Sequence, residues 1–255
     1  MPFELRKWYL DCVTDDGAVR IGYAAGLTTG KLRLALASAL SASPSRPAQT
    51  RTRLTSARLP GEQDGELHWR VPSLGVAGRW ASFAAPLPSV EIGDEIGAPG
   101  ALAWSCLQPR AAVEWIEGSG TLRGTGYAER LELRVPPWEL PIDELHWGRA
   151  HVGPHTLVWI DWRGPRCVRW LFVEGARVEG SVGIDRVRCG GLTLTLTTCA
   201  TLRDGDLART VFARAPAVRA LLSRHKLALH ETKWLSRARV GAHEGFAIHE
   251  VVRWH

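Results

Sequence analysis

GTGYAERLELRVPPWELPIDELHWGRAHVGPHTLVWIDWRG, residues 124–164, holds three segments whose side-chain character alternates at every second position. That period belongs to extended strands, whose successive side chains face opposite ways. In the first segment Tyr127, Glu129, Leu131 and Leu133 share one face, and Arg130, Glu132 and Arg134 share the other. Trp147, Arg149 and His151 fall on one face of the second, and Leu157, Trp159 and Asp161 on one face of the third. Between the first two lies Val135-Pro136-Pro137-Trp138, which cannot continue a sheet interior and is read as the boundary between a domain at 1–135 and another at 136–255.

Outward from this stretch the alternation persists. Phe3–Val13 and Ala18–Leu27 are joined by Thr14-Asp15-Asp16-Gly17, a hairpin signal. Further strands are expected at Lys31–Leu40, Arg51–Ala57, Glu66–Val71, Arg79–Phe83, Cys167–Glu174, Leu192–Leu202, Leu227–Val240 and Gly245–Trp254. Ala101–Leu107 and Ala111–Glu117 read as a hairpin around Gln108-Pro109-Arg110, and Arg203–Asp206 as a turn. Ser41–Gln49 reads as a loop, and Ala84–Gly100 as loop with one short strand. Only Ala213–Arg224 has helical spacing, with Val218, Leu221 and Leu222 on one side. Many short strands and one short helix near the C-terminus argue an all-β protein of two antiparallel barrels or sandwiches.

The bulk properties exclude several classes. A chain of 255 residues with 45% apolar and 23% charged residues is globular rather than disordered. The net charge is +6, but the excess Arg is spread along the chain without a basic block, so no nucleic-acid partner is expected. No apolar run is long enough to span a membrane as a helix, so no integral membrane segment is expected. Five widely spaced cysteines, with no CxxC, fit reduced thiols in a cytoplasmic setting. His146, His151 and His155 lack a fourth ligand, and His146 and His151 have opposite strand parity; no metal or organic cofactor is expected.

Chemistry is sought at the ionisable groups on otherwise apolar faces, because such groups are costly unless paired or facing a wet cavity. Glu129 is a candidate general acid, with Tyr127 and Arg149 tuning it. The alternative is an ion pair between Glu129 and Arg149. Asp161, between Trp159 and Trp162, is a second candidate acid; its alternative is a strand-end carboxylate serving backbone N–H groups at Arg163-Gly164. Twelve Trp residues against five Phe and three Tyr suit the wall of a pocket for an apolar or polyene-like guest. Trp104, Trp147, Trp159, Trp162, Trp234 and His151 are the candidate substrate-binding residues.

Gly126-Tyr127-Ala128-Glu129, Leu145-His146-Trp147-Gly148-Arg149 and Leu157-Val158-Trp159-Ile160-Asp161-Trp162 resemble the family containing hydroxyneurosporene synthase (carotenoid 1,2-hydratase) and related bacterial two-barrel proteins. Trp8-Tyr9-Leu10-Asp11 and Phe246-Ala247-Ile248-His249-Glu250 fit the same pattern. The resemblance implies two lipocalin-like barrels in tandem and acid-initiated hydration or cyclisation of long apolar isoprenoids, without a cofactor. The hydratases carry Asp-His-x-Trp after the motif Tyr; here Glu129-Arg130-Leu131-Glu132 keeps the acid and replaces the His and the Trp. The expectation is therefore a cyclase, isomerase or hydratase acting on an apolar small molecule, the alternative being a carrier of a lipophilic ligand.

Overall fold

The computed structural model describes residues 3–55, 59–206 and 229–254. The chain divides into two compact units, Met1–Ser43 with Gln49–Leu140, and Pro44–Ala48 with Pro141–His255. In the first unit the strands are β1 (Phe3–Val13), β2 (Val19–Thr29), β3 (Leu32–Ser43), β4 (Arg46–Leu54), β5 (Gly61–Gln63), β6 (Glu66–Val71), β7 (Val76–Ser82), β8 (Leu102–Glu117) and β9 (Gly120–Leu133). In the second they are β10 (Glu144–Val152), β11 (His155–Arg163), β12 (Val168–Val173), β13 (Ala176–Val178), β14 (Gly180–Val182), β15 (Arg186–Cys189), β16 (Leu192–Asp206), β17 (Leu229–Val240) and β18 (His243–Trp254). Each set forms one nine-stranded sheet, ordered β4-β3-β2-β1-β9-β8-β7-β6-β5 and β13-β12-β11-β10-β18-β17-β16-β15-β14. The protein is all-β, and the second order is the first repeated.

Connectivity forces the second sheet to curl. β13 and β14 stand at opposite edges, yet only Glu179 separates them in the chain. Two chain steps reach about 7 Å, whereas a flat sheet of nine strands would hold its edges about 38 Å apart. The sheet therefore rolls into a nearly closed barrel. Its inner face carries Ala150, Val152, Leu157, Trp159, Leu171, Leu194 and Ala247. In the first unit the corresponding face carries Trp8, Leu10, Trp69, Trp80, Trp115 and Ala128, and Trp80 Nε1 donates to the Asp11 carbonyl at 2.8 Å.

Four local expectations are corrected. Ser41–Gln49 is not a loop: β3 runs to Ser43 and β4 starts at Arg46. Pro47 is tolerated there because β4 is an edge strand. Gln108-Pro109-Arg110 is not a hairpin turn but a bulged part of the single strand β8, whose register against β9 shifts between Cys106 and Gln108 and between Gln108 and Ala111; a bulge absorbs the proline's missing N–H. Arg203–Asp206 is the end of β16 rather than a turn, with Arg203 paired to Lys233 and Gly205 to Glu231 in the ladder. Within 84–100 lies the helix α1 (Ile92–Ile96), closed by Gly97 at φ 85°. The expected helix at Ala213–Arg224 lies outside the described residues. Among the described residues no helix is long and apolar enough to cross a membrane.

Several tryptophan rings lie over glycines. Trp69 covers Gly22, and Trp159 covers Gly148. A Cβ on Gly148 would overlap the Trp159 ring and stand 2.8 Å from the His249 Cβ. Gly148→Ala is expected to destabilise the protein by about 1–3 kcal/mol. Gly61→Ala, whose Cβ meets nothing within 4 Å, is expected to stay within about 0.5 kcal/mol of wild type. Urea unfolding of the two variants measures the difference.

Candidate active site

The ladders of the first sheet place side chains in rows across five strands. One row reads Cys106, Glu129, Tyr9, Tyr23, Ser38 from β8 to β3. It lies on the face opposite Trp8, Leu10 and Ala128, because these alternate with Tyr9 and Glu129 along β1 and β9. Glu129 is half-buried. Its Oε2 accepts two hydrogen bonds, from Trp104 Nε1 at 2.6 Å and from the Tyr127 hydroxyl at 2.7 Å. Trp104 and Tyr127 are themselves buried, as is Cys106. The Tyr9 ring meets Tyr23 edge-on at 5.5 Å and Tyr127 at 6.1 Å.

Electrostatics keep Tyr127 a donor. Burial raises its pKa well above the ordinary phenol value, and the neighbouring Cys106 and Glu129 push it the same way. The Cys106 thiol is raised as well, first by burial, with the Glu129 charge adding to the effect and a hydrogen bond to Tyr127 opposing it. Two neutral donors thus fix one carboxyl oxygen of Glu129 against an aromatic floor. This arrangement can deliver a proton and then stabilise the carboxylate left behind.

Beside this row the same face turns apolar. The next row reads Trp104, Leu131, Lys7, Ala25, Leu36, and the one after it Leu102, Leu133, Leu5, Leu27, Leu34. Leu5, Leu27, Leu34, Leu36 and Leu131 are half-buried, whereas Tyr9, Asp11 and Tyr23 at the other end are buried.

The second unit holds the remaining candidates. Arg149, Trp147 and His151 share the outer face of β10 and are buried, Arg149 completely. Trp147 carries the Lys233 ammonium at 5.1 Å from its ring centroid. Lys233 pairs with Glu250 and lies 3.6 Å from Glu231, which Arg203 holds at 3.0 Å. Trp162 lies on the same outer face and donates to the Pro141 carbonyl at 3.1 Å.

Asp161 faces inward with Trp159, and its geometry is that of a structural anion. Oδ2 accepts from Arg163 Nε at 2.9 Å and Oδ1 from Arg169 Nε at 2.7 Å. Arg163 also binds Glu144 at 2.7 Å, and Glu144 binds His146 at 2.6 Å and Arg253 at 2.8 Å. Both carboxyl oxygens of Asp161 are thus engaged by arginines. His155 contacts Glu174. Trp159 and Trp234 flank His249, with ring centroids at 6.5 and 5.1 Å.

Sequence reasoning brought Glu129 and Tyr127 together by parity along one strand. It missed Cys106, Lys7 and the Ser236–His249 pair, joined at 2.8 Å, because each depends on which strand lies alongside. Trp104 was singled out only as a wall, although the alternation Trp104-Ser105-Cys106 already carried both residues to one face.

No protein-family model and no curated protein sequence matches the chain. Solved structures do resemble it. A provisionally assigned AttH from Nitrosomonas europaea aligns over 100% of this chain and 93% of its own, with a TM-score of 0.58 and 13% identity. Kievitone hydratase from Nectria haematococca aligns over 98% of this chain and 88% of its own, with a TM-score of 0.56 and 9% identity. CghA aligns over the same shares with a TM-score of 0.60 and 12% identity, and is also known in a structure with Sch210972. At these identities the likeness is one of fold, that of two nine-stranded antiparallel sheets in one chain.

His249 yields a pH prediction. Burial, then the charges of His146 and Lys233, lower its pKa to about 4. In the unfolded chain it takes up a proton near the ordinary value of about 6.5. Stability from the neutral ring is therefore complete above that value and is lost as pH falls toward 4. At pH 5 the loss is about 2 kcal/mol, or about 4–8 °C in Tm for a chain of this size. Melting curves at pH 7 and pH 5 should show a smaller drop for His249→Asn than for wild type.

Proposed function

We propose that this chain is a cofactor-independent acid catalyst that hydrates, cyclises or isomerises an apolar polyene or isoprenoid-like small molecule, with Glu129 as the proton donor. The observation that carries the reading is the pair of neutral donors, Trp104 Nε1 and the Tyr127 hydroxyl, converging on Oε2 of a half-buried carboxyl. As the proton passes from Glu129 to an alkene carbon, negative charge grows on the carboxylate. Two preset hydrogen bonds then strengthen, which lowers the barrier rather than merely holding the ground state. The positive charge appears on the substrate, where the faces of Tyr9 and Tyr23 can stabilise it. Water addition with loss of its extra proton to the Glu129 carboxylate completes hydration, attack by a second double bond followed by loss of a proton from the new cation to Glu129 completes cyclisation, and return of a neighbouring proton to Glu129 completes isomerisation.

Two further observations support this assignment. The rows of Leu5, Leu27, Leu34, Leu36 and Leu131 beside Glu129 offer a half-buried apolar track suited to such a substrate. Shared fold with a kievitone hydratase is consistent with an enzyme that adds water. Asp161, with both oxygens on arginines, is assigned a structural role.

The test begins with native mass spectrometry of the protein purified from its host and identification of any co-purifying molecule. Turnover of that molecule or its precursor is then compared among wild type, Glu129→Gln, Tyr127→Phe and Asp161→Asn. Glu129→Gln should lose about 10²–10⁴-fold in kcat, and Tyr127→Phe about fivefold, the worth of one neutral hydrogen bond. Asp161→Asn should keep its turnover wherever it remains folded. Full activity in Glu129→Gln would sink the assignment, and tight binding without conversion by wild type would make the protein a carrier.

A further inference from the structure

We infer that the substrate carries an acidic group, in the simplest case a carboxylate, and that Lys7 anchors it. This rests on the reading that the outer face of the first sheet binds substrate. Lys7 is the cation in the row Trp104, Leu131, Lys7, Ala25, Leu36 and is half-buried there. Its ammonium leans toward the Glu129 row, with Nζ 5.5 Å from the centroid of the Tyr23 ring. Among the described residues it takes part in no ion pair.

Of the acids on β1 and β9, Glu4 and Glu132 point the other way, while Glu129, on Lys7's own face, has its Oε2 engaged by Trp104 and Tyr127. Glu4 holds Arg6 at 2.9 Å, and Glu132 holds Arg130 at 3.2 Å and approaches Arg6 at 3.9 Å, all on the opposite face. An ammonium partly withdrawn from water among leucines is under-compensated by one ring face. An anion arriving with the ligand would complete it, and a charge-assisted bond formed in such a place is strong.

Position gives the anchor a purpose. Lys7 pairs with Leu131, and Glu129 is the next residue on that face of β9. Diagonal neighbours of this kind have Cβ atoms roughly 7–8 Å apart. A substrate held by its acid group at Lys7 would present carbons only a few bonds away to Glu129, while its apolar body runs along Leu5, Leu27 and Leu34. The ligand class is therefore an amphiphile: one ionised oxygen acid at the reacting end and an extended apolar remainder.

Dansyl-labelled undecanoic acid and its methyl ester test this by fluorescence titration of the whole chain. Wild type should bind the acid about tenfold more tightly than the ester. Lys7→Met should remove that preference while leaving ester affinity unchanged, and Lys7→Arg should keep it. Glu129→Gln should keep the preference too, which separates this inference from the catalytic assignment: loss of turnover without acid preference sinks the anchor alone, and preference with full Glu129→Gln turnover sinks the acid alone. Equal affinities in wild type, a preference surviving Lys7→Met, or no binding of either probe would overturn the inference.

Discussion

Strand β9 lies between β1 and β8, and the register of those two ladders determines what Glu129 meets. On one side it is paired with Tyr9 and on the other with Cys106. A slip of one residue would turn Glu129 inward among the tryptophans of the core and bring Ala128 outward. The bulge of β8 around Pro109 begins just past Cys106, so the ladder is regular beneath Glu129 and irregular beyond it. Trp104, two residues before Cys106, is thereby held where its indole N–H reaches the carboxyl. The first and last strands of each unit are neighbours at the centre of its sheet, so the Glu129 row lies at the middle of the first sheet.

Buried charge in this protein is handled in two ways. Asp161, Glu144, Glu231 and Glu250 each meet a cation at hydrogen-bond or ion-pair distance. Breaking any of these would leave a partner charge uncompensated, so they fix geometry more than they add stability. Glu129 Oε2 instead accepts from an indole and a phenol.

Much of this was legible in the chain because strand periodicity is local. The faces of Tyr127 and Glu129, of Trp147, Arg149 and His151, and of Trp159 and Asp161 follow from alternation alone, and the Thr14–Gly17 turn follows from Gly17, whose φ is 82°. What escaped depends on partners distant in sequence. Pro109 reads as a turn until β9 is seen running alongside, and Arg203–Asp206 reads as a turn until the cross-strand contacts of Arg203 with Glu231 and of Asp204 with His230 are known. Asp161 is an intermediate case. Arg163 is two residues on along the same strand, and Arg169 is brought opposite by the β11–β12 hairpin, so hairpin arithmetic would have found both.

The repeated strand order sets two glutamates in matching places. In each sheet the last strand lies against the first at the centre, and each last strand carries a glutamate opposite an aromatic residue: Glu129 faces Tyr9, and Glu250 faces Trp147. The penultimate strand then supplies the differing neighbour, Cys106 in one half and Lys233 in the other. The two halves of the repeated strand order thus place a glutamate in the same position beside different neighbours. Lysine pairs with it in the second half, and a buried thiol lies beside it in the first.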